Sequence, residues 1–241
     1  MTAVAVILPA HNEAALLEPV VEDIVRGLRE WGNPFEVWVM ENGSADATAD
    51  IAESLSRTLP EVRAHSSPAA NYGLAVRQGI LESDADVAVL FDVDYYDLPF
   101  LMAAVALMEA PEGDHAAIVL GSKRAPGASD ERPWQRRTIT AAFNLVLHRG
   151  FGLAVTDTHG MKALDRRQLL PIIRQCELNA DLFDTELVIR AGRAGLPITE
   201  MPVTVREQRP PRSSILVRGM KTVGGLRRLR RALRRPTSPP S

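Results

Sequence analysis

Short apolar runs alternate along the chain with longer stretches in which apolar residues recur every three or four positions. Val4-Ala-Val-Ile-Leu8 precedes a stretch from Ala14 to about Arg29, and Phe35–Met40 precedes one from Asp46 to about Leu59. A weaker run, Val62–His65, precedes Leu74–Glu82. Continuous apolar runs bounded by turn residues predict buried strands, and the three-to-four spacing predicts amphipathic helices. Strands and helices alternating at this interval predict an α/β fold, a Rossmann-like and mostly parallel sheet with helices on both faces. Ala116–Leu120 is a further strand, leading to Gly121-Ser-Lys-Arg124 and then a Pro/Gly-rich loop over 125–133. A helix from Trp134 to Arg149, another from Phe183 to about Ala194 and a strand over Ile198–Val205 complete the pattern. Asn12 and Asp46 are placed to cap the first two helices, and Asn71-Tyr-Gly73 turns into the third.

The run Val87-Ala-Val-Leu-Phe-Asp-Val-Asp94 ends in two carboxylates, Asp92 and Asp94. It predicts a buried central strand that delivers both acids to the crevice outside the carboxyl ends of the strands, where open α/β sheets bind ligands. Residues two apart on a strand project to one side, and a carboxylate pair there makes a hard oxygen site suited to Mg²⁺ or Mn²⁺ arriving with a diphosphate. An isolated Asp-x-Asp is equally what a solvated acidic turn looks like. Two more strands end in polar turns, Pro9-Ala-His-Asn-Glu13 and Glu41-Asn-Gly-Ser44. Right-handed crossovers bring such ends to one edge, so the three turns together point to a nucleotide crevice.

Composition narrows the class. At 241 residues, 46% hydrophobic and 24% charged, the chain suits one large α/β domain with a tail. A single cysteine, Cys176, excludes an internal disulfide framework and suits a reducing compartment. No apolar run has the length of a membrane span, and the N-terminus enters a strand with no signal-peptide pattern. The net charge of −2 hides a segregation: residues 218–235 hold seven Arg, one Lys and no acid, leaving 20 basic against 30 acidic residues elsewhere. In this region Leu216, Met220, Val223, Leu226, Leu229 and Leu233 recur at helical spacing between the arginines. The segment reads as a basic amphipathic helix, broken or kinked at Gly224-Gly225, suited to an anionic leaflet or to packing on the domain. It lacks the aromatics that stacking on nucleic acid requires, so no nucleic-acid partner is expected. The expected division is a domain over 1–212 and, over 213–241, this helix followed by a disordered Pro/Ser end. The expected location is cytoplasmic, peripheral on the inner face of the membrane.

Taken in order, P-A-H-N-E (9–13), E-N-G-S-A-D-A-T (41–48), N-Y-G-L-A (71–75), D-V-D (92–94), G-S-K-R (121–124), D-T-H-G-M-K-A-L (157–164) and F-D-T-E-L (183–187) resemble a family-2 glycosyltransferase of the GT-A fold. The resemblance covers about residues 4–215, and the branch it looks like is that of the dolichol/polyprenyl-phosphate mannosyl- and glucosyltransferases. It implies inverting transfer of a hexose from a nucleoside-diphosphate sugar, of the GDP-mannose or UDP-glucose type, to a polyprenyl phosphate, with Mg²⁺ or Mn²⁺. It implies donor contacts from Pro9, Ala10, Asn12, Glu13, Glu41, Asn42, Gly73, Asp92 and Val93, and metal ligation by Asp94 with Asp92. The acceptor phosphate falls to Arg124, Arg136 and Thr140, the last two at i and i+4 of one helix, with His159 touching acceptor or sugar. Asp184, Asp157 and Arg209 take the catalytic roles. Asp184 is the base where one is needed, Asp157 anchors its loop or meets sugar hydroxyls, and Arg209 closes over the leaving group.

Some positions depart from the family's pattern. Glu41 and Asn42 stand where two aspartates are usual, which keeps hydrogen bonding and removes one charge; Asn42-Gly43 is also simply a pair that favours a tight turn. Tyr96 stands where a metal-assisting glutamine is common, and a phenol is a poor ligand for a hard dication, so Asp97 or the diphosphate would have to compensate. His159 replaces a small residue and Arg212 a glycine. A phosphate acceptor is mostly dianionic at neutral pH and attacks without a base, whereas a hydroxyl acceptor needs one. Two further readings stay open: the same donor chemistry with a soluble hydroxyl acceptor, and a non-catalytic sugar-nucleotide-binding descendant.

Overall fold

Every residue of Val4–Ala10 (β1) is buried, and its side chains divide between two separate apolar layers. Val4, Val6, Leu8 and Ala10 join one layer, Ala5 and Ile7 the other. A strand buried on both faces needs partners on both edges and helices above and below, and the chain supplies them. The computed structural model describes residues 1–111, 115–122, 129–130, 148–151, 155, 158, 160–179, 182–205 and 215–234. In it β1 pairs in parallel with β2 (Phe35–Asn42), which pairs in parallel with β3 (Val62–Ser67). On its other edge β1 pairs in parallel with β4 (Val87–Leu90).

With β5 (Ile118–Ser122), β7 (Lys162–Asp165) and β8 (Ile198–Pro202) the sheet has seven strands in the order β3-β2-β1-β4-β7-β5-β8. β7 runs antiparallel to both of its neighbours, and β5 pairs in parallel with β8. Two short segments, β6 (Ser129–Asp130) and β9 (Thr204–Val205), make a separate parallel pair. One face is covered by α1 (Leu17–Trp31), α2 (Thr48–Thr58) and α4 (Leu98–Met108). The other is covered by α3 (Tyr72–Glu82), α5 (Arg166–Gln175), α6 (Phe183–Arg193) and the second half of α7 (Ile215–Ala232). This is the expected mostly parallel α/β architecture.

Four local expectations need correcting. α1 starts at Leu17 rather than Ala14, and Asn12 does not cap it. Asn12 sits at φ +56, a left-handed conformation that asparagine tolerates, and its side chain reaches across to the turn after β2. β4 ends at Leu90, earlier than the apolar run suggested. And α7 runs unbroken through Gly224 and Gly225. A Cβ at Gly225 would lie 2.8 Å from Leu182 Cδ1, so the missing side chain lets the helix rest on Leu182. The N-cap of α2 is Ala47 rather than Asp46, whose Oδ1 accepts the Thr48 N–H at 3.0 Å from one residue earlier. Asn71 caps α3, accepting the Leu74 N–H at 3.1 Å.

The end of α7 is fastened to α6 by arginines. Leu229, Ala232 and Leu233 are buried in the core, so the described half of the helix packs its apolar side on the domain. Arg190 Nη2 donates to the Ala232 carbonyl at 2.9 Å and Arg193 Nη1 to the Leu233 carbonyl at 3.0 Å, satisfying carbonyls that a helix end leaves without partners. Arg190 is itself buried and donates Nε–H to Glu186 Oε1 at 2.8 Å. The other Glu186 oxygen accepts the Glu177 and Leu178 N–H groups at 3.0 and 2.7 Å. Arg190→Met leaves the Glu186 carboxylate buried without its cation, which costs about 3–5 kcal/mol. The urea midpoint should fall accordingly, and Glu186→Gln/Arg190→Met should lose less than Arg190→Met alone.

Candidate active site

Parallel register aligns the first two polar turns. Ala10, the last residue of β1, lies opposite Glu41 of β2, and the turns beyond them interlock. Asn12 Oδ1 accepts the Ala45 N–H at 2.8 Å, which fixes the orientation of its amide. The Asn12 Nδ2 then donates to His11 Nε2 at 3.2 Å, while His11 Nδ1–H donates to the Asn42 carbonyl at 2.8 Å. These contacts select the Nδ1–H tautomer of His11. Asn42 Oδ1 accepts the Asn71 N–H, tying the floor to the cap of α3, and buried Gly73 follows in its first turn. Glu13 N–H donates to Thr48 Oγ1 at 2.8 Å. Gly43 adopts φ +66 with its Cβ position 2.6 Å from the Ala70 nitrogen, so the turn needs glycine for both conformation and space.

Glu41 is 3% exposed. Burial alone would push its carboxyl up, but hydrogen bonds from the Ser66 hydroxyl and from Ser44, with His11 nearby, hold it below the ordinary carboxylate range. One polar wall of the crevice is therefore a preformed, ionised acceptor.

The third strand end differs from the extended geometry expected of it. Asp92 and Tyr95 exchange backbone hydrogen bonds of 3.2 and 3.0 Å, so residues 92–95 form a tight turn beyond β4. Buried Val93 anchors the turn, and Asp92 and Asp94 on either side of it are half-buried. Tyr96 and Asp97, the two side chains that follow the turn, both have partners within the protein. The Tyr96 hydroxyl donates to Asp23 Oδ2 on α1 at 2.6 Å, and burial together with that carboxylate pushes the phenol up to about 12. Asp97 is the N-cap of α4, accepting the Phe100 N–H at 2.9 Å. The two aspartates suit a hard cation that takes its remaining oxygens from a diphosphate and water. Among the described residues no three His, Cys, Asp or Glu side chains form a closed metal site.

A buried charge pair stands beside this turn. Lys162 of β7 pairs with Leu90, the end of β4, on one edge and with Leu120, in the middle of β5, on the other. Its Nζ lies 2.9 Å from Asp184 Oδ2 and 2.8 Å from the Gly160 carbonyl. The first turn of α6 is pinned to the preceding loop by Thr158 and Thr185, whose hydroxyls are 3.1 Å apart. Two carboxylates on α6 thus have different fates. Both Glu186 oxygens are engaged, whereas Asp184 Oδ1 is buried with no hydrogen-bond partner among the described residues. Lys162 was not singled out from sequence; the signal was a lone charge inside the apolar Met161–Leu164 run. Arg124, Arg136, Thr140, Asp157, His159 and Arg209 lie outside the described residues.

Residues 5–170 match the family model for glycosyl transferase family 2. The chain belongs to that family. It is 32% identical over 205 residues to the glycosyltransferase AglD of Haloferax volcanii, covering 83% of this chain and 32% of that protein. It is 25% identical over 223 residues to the dolichyl-phosphate beta-glucosyltransferase of Saccharomyces cerevisiae, covering 84% of this chain and 66% of that protein. The chain thus spans between a third and two-thirds of these relatives' length. Its GT-A fold is shared with glucosyl-3-phosphoglycerate synthase of Mycobacterium tuberculosis, solved with uridine diphosphate (TM-score 0.68, 21% identity, 98% of this chain and 82% of that one). Mannosyl-3-phosphoglycerate synthase of Rubrobacter xylanophilus is similar at TM-score 0.69 and 20% identity, over 100% of this chain and 78% of that one.

The Glu41 environment generates a pH prediction. Its folded carboxyl ionises more readily than the ordinary value of 4.5. Its contribution to stability is therefore present above that pH and lost as the pH falls through the lowered folded value. Glu41→Gln should show a smaller fall in Tm than the parent between pH 5 and about pH 3. An unchanged slope would mean that the turn does not hold the carboxylate in its ionised form.

Proposed function

We propose that the crevice binds a nucleoside-diphosphate sugar and transfers its hexose, with inversion, to a polyprenyl phosphate, assisted by Mg²⁺ or Mn²⁺. The observation that carries this reading is the meeting of three strand ends at one edge: the interlocked 11–13 and 41–46 turns, and the 92–95 turn with its two half-buried aspartates. Glu41 accepts hydrogen bonds from base or ribose. Pro9, Ala10, Gly73 and Val93 let the backbone come close, and Asn12, Glu13 and Asn42 shape the floor. Asp94 and Asp92 would hold the cation, which offsets the charge of the departing diphosphate. Arg124, Arg136 and Thr140, with His159, are assigned to the acceptor, and Arg209 and Asp157 to the leaving group and sugar. The acceptor oxygen forms its bond to the anomeric carbon as the bond to the diphosphate oxygen breaks, and a phosphate dianion does this without surrendering a proton.

The similarity to a dolichyl-phosphate beta-glucosyltransferase supports the lipid phosphate. So does the outer side of α7, where Arg227, Arg228, Arg230, Arg231 and Arg234 are exposed opposite the docked leucines, a face suited to an anionic leaflet. Among the described residues no helix is long and apolar enough to cross a membrane. One observation favours a second reading, a soluble hydroxyl acceptor: Asp184 Oδ1 has no hydrogen-bond partner among the described residues, and a carboxylate oxygen of that kind would suit a hydroxyl proton.

Nucleoside-diphosphate release from UDP- and GDP-hexoses, with Mn²⁺ or with EDTA, tests both readings. Turnover should require the metal, rise on adding a short polyprenyl phosphate and fall at least about a hundredfold in Asp94→Ala. Metal-dependent turnover that only hydroxyl acceptors stimulate would select the second reading. Metal-independent turnover, or none from any donor, would contradict the proposal.

A further inference from the structure

A fully buried lysine in the middle of a sheet is an expensive residue unless its charge is used. Lys162 sits in one row with Leu90 and Leu120, whose side chains belong to the apolar layer beneath α3, α5 and α6. The ammonium makes two described contacts, the Gly160 carbonyl and Asp184 Oδ2. A purely structural pair would be expected to saturate both partners, as Arg190 and the two backbone N–H groups do for Glu186 two residues further along the same helix. Asp184 is not saturated. Its Oδ1 is buried, carries no partner among the described residues, and belongs to a side chain that is only 3% exposed. Buried carboxylate oxygens in folded proteins almost always have a donor, so this one has acceptor capacity that the described residues leave unused.

Location decides which donor can use that capacity. Lys162 is paired with the final residue of β4, two positions before Asp92, and Asp184 is in the first turn of α6, where the helix dipole favours a carboxylate. The pair therefore lies at the same edge as the proposed metal and donor sites. A carboxylate already bonded to an ammonium offers its second oxygen as an acceptor only, which suits a hydroxyl and repels a phosphate dianion.

We propose that Lys162 is a positioning residue: it fixes Asp184 through one carboxylate oxygen so that the other accepts a hydroxyl of the bound substrate. The hydroxyl belongs either to the transferred sugar or to the acceptor. This rests on the reading of the crevice as a glycosyl-transfer site, and it adds to it the residue that holds Asp184 in place.

The test is a double-mutant cycle on the full chain with Lys162→Met, Asp184→Asn and the double variant. Calorimetric titration with UDP and GDP and with their glucose and mannose conjugates is combined with nucleoside-diphosphate release. Lys162→Met should leave affinity for the nucleoside diphosphate within about twofold and lower kcat roughly tenfold to a hundredfold. In the Asp184→Asn background the same change should lower kcat less than about threefold, because the group it positions has already gone. Loss of affinity for the sugar conjugates alone would assign the hydroxyl to the transferred sugar; unchanged donor affinity with a raised acceptor KM would assign it to the acceptor. Equal losses in both backgrounds, or a loss of nucleoside-diphosphate affinity matching the loss of kcat, would overturn the proposal. If Lys162→Met does not fold, the double variant should, since it buries no charge from the pair; failure of both variants to fold would also overturn it. A parent protein inactive with every donor would instead contradict the glycosyl-transfer reading, so the two failures are told apart.

Discussion

Parallel pairing on both edges of β1 is the constraint on which the rest depends. Because β2 and β4 run alongside β1 in the same direction, Ala10, Glu41 and the turn after Leu90 emerge at one edge. The register follows from two-sided burial: Val4, Val6 and Leu8 need the α1, α2 and α4 layer, while Ala5 and Ile7 need the α3 and α6 layer. A slip by one residue would exchange the two sets. The polar turns that carry the chemistry are thus placed by apolar residues that never touch a substrate.

Around this edge the structure separates carboxylates by how completely the chain itself satisfies them. Both oxygens of Glu186 are engaged, between Arg190 and two backbone amides, and one oxygen of Asp97 caps α4. Glu41 is held ionised by hydroxyl and backbone donors, at the strand end proposed to meet the nucleoside. Among the described residues Asp184 is half-satisfied, by Lys162. An unsatisfied buried carboxylate oxygen costs free energy, which is why Asp184, beside the proposed metal site, is the candidate for chemistry here.

Much of this was legible in the chain. Apolar runs located the parallel strands, Asn71-Tyr-Gly73 marked the start of α3, and the order of polar turns gave the family. Other features depend on contacts between distant segments that no local pattern encodes. Asn12 has the right identity and place for a cap, but its side chain is claimed by Ala45, 33 residues away. Tyr96 looked like a failed metal ligand until its hydroxyl was found on Asp23, 73 residues earlier. Lys162 reads as an ordinary strand residue, and only the antiparallel insertion of β7 between β4 and β5 puts it in the core. The basic helix offered two placements by pattern alone, and the glycine that suggested a kink instead provides the contact surface for Leu182.

The central claim is that a sugar nucleotide occupies the edge where β1, β2 and β4 end. A crystal structure with Mn²⁺ and whichever of UDP or GDP binds more tightly tests it most directly. The account predicts the nucleoside against the His11–Glu41–Asn42 floor and the diphosphate beside Asp92 and Asp94 with the cation. Nucleotide bound elsewhere on the sheet, or at this edge with its diphosphate away from both aspartates, would contradict it.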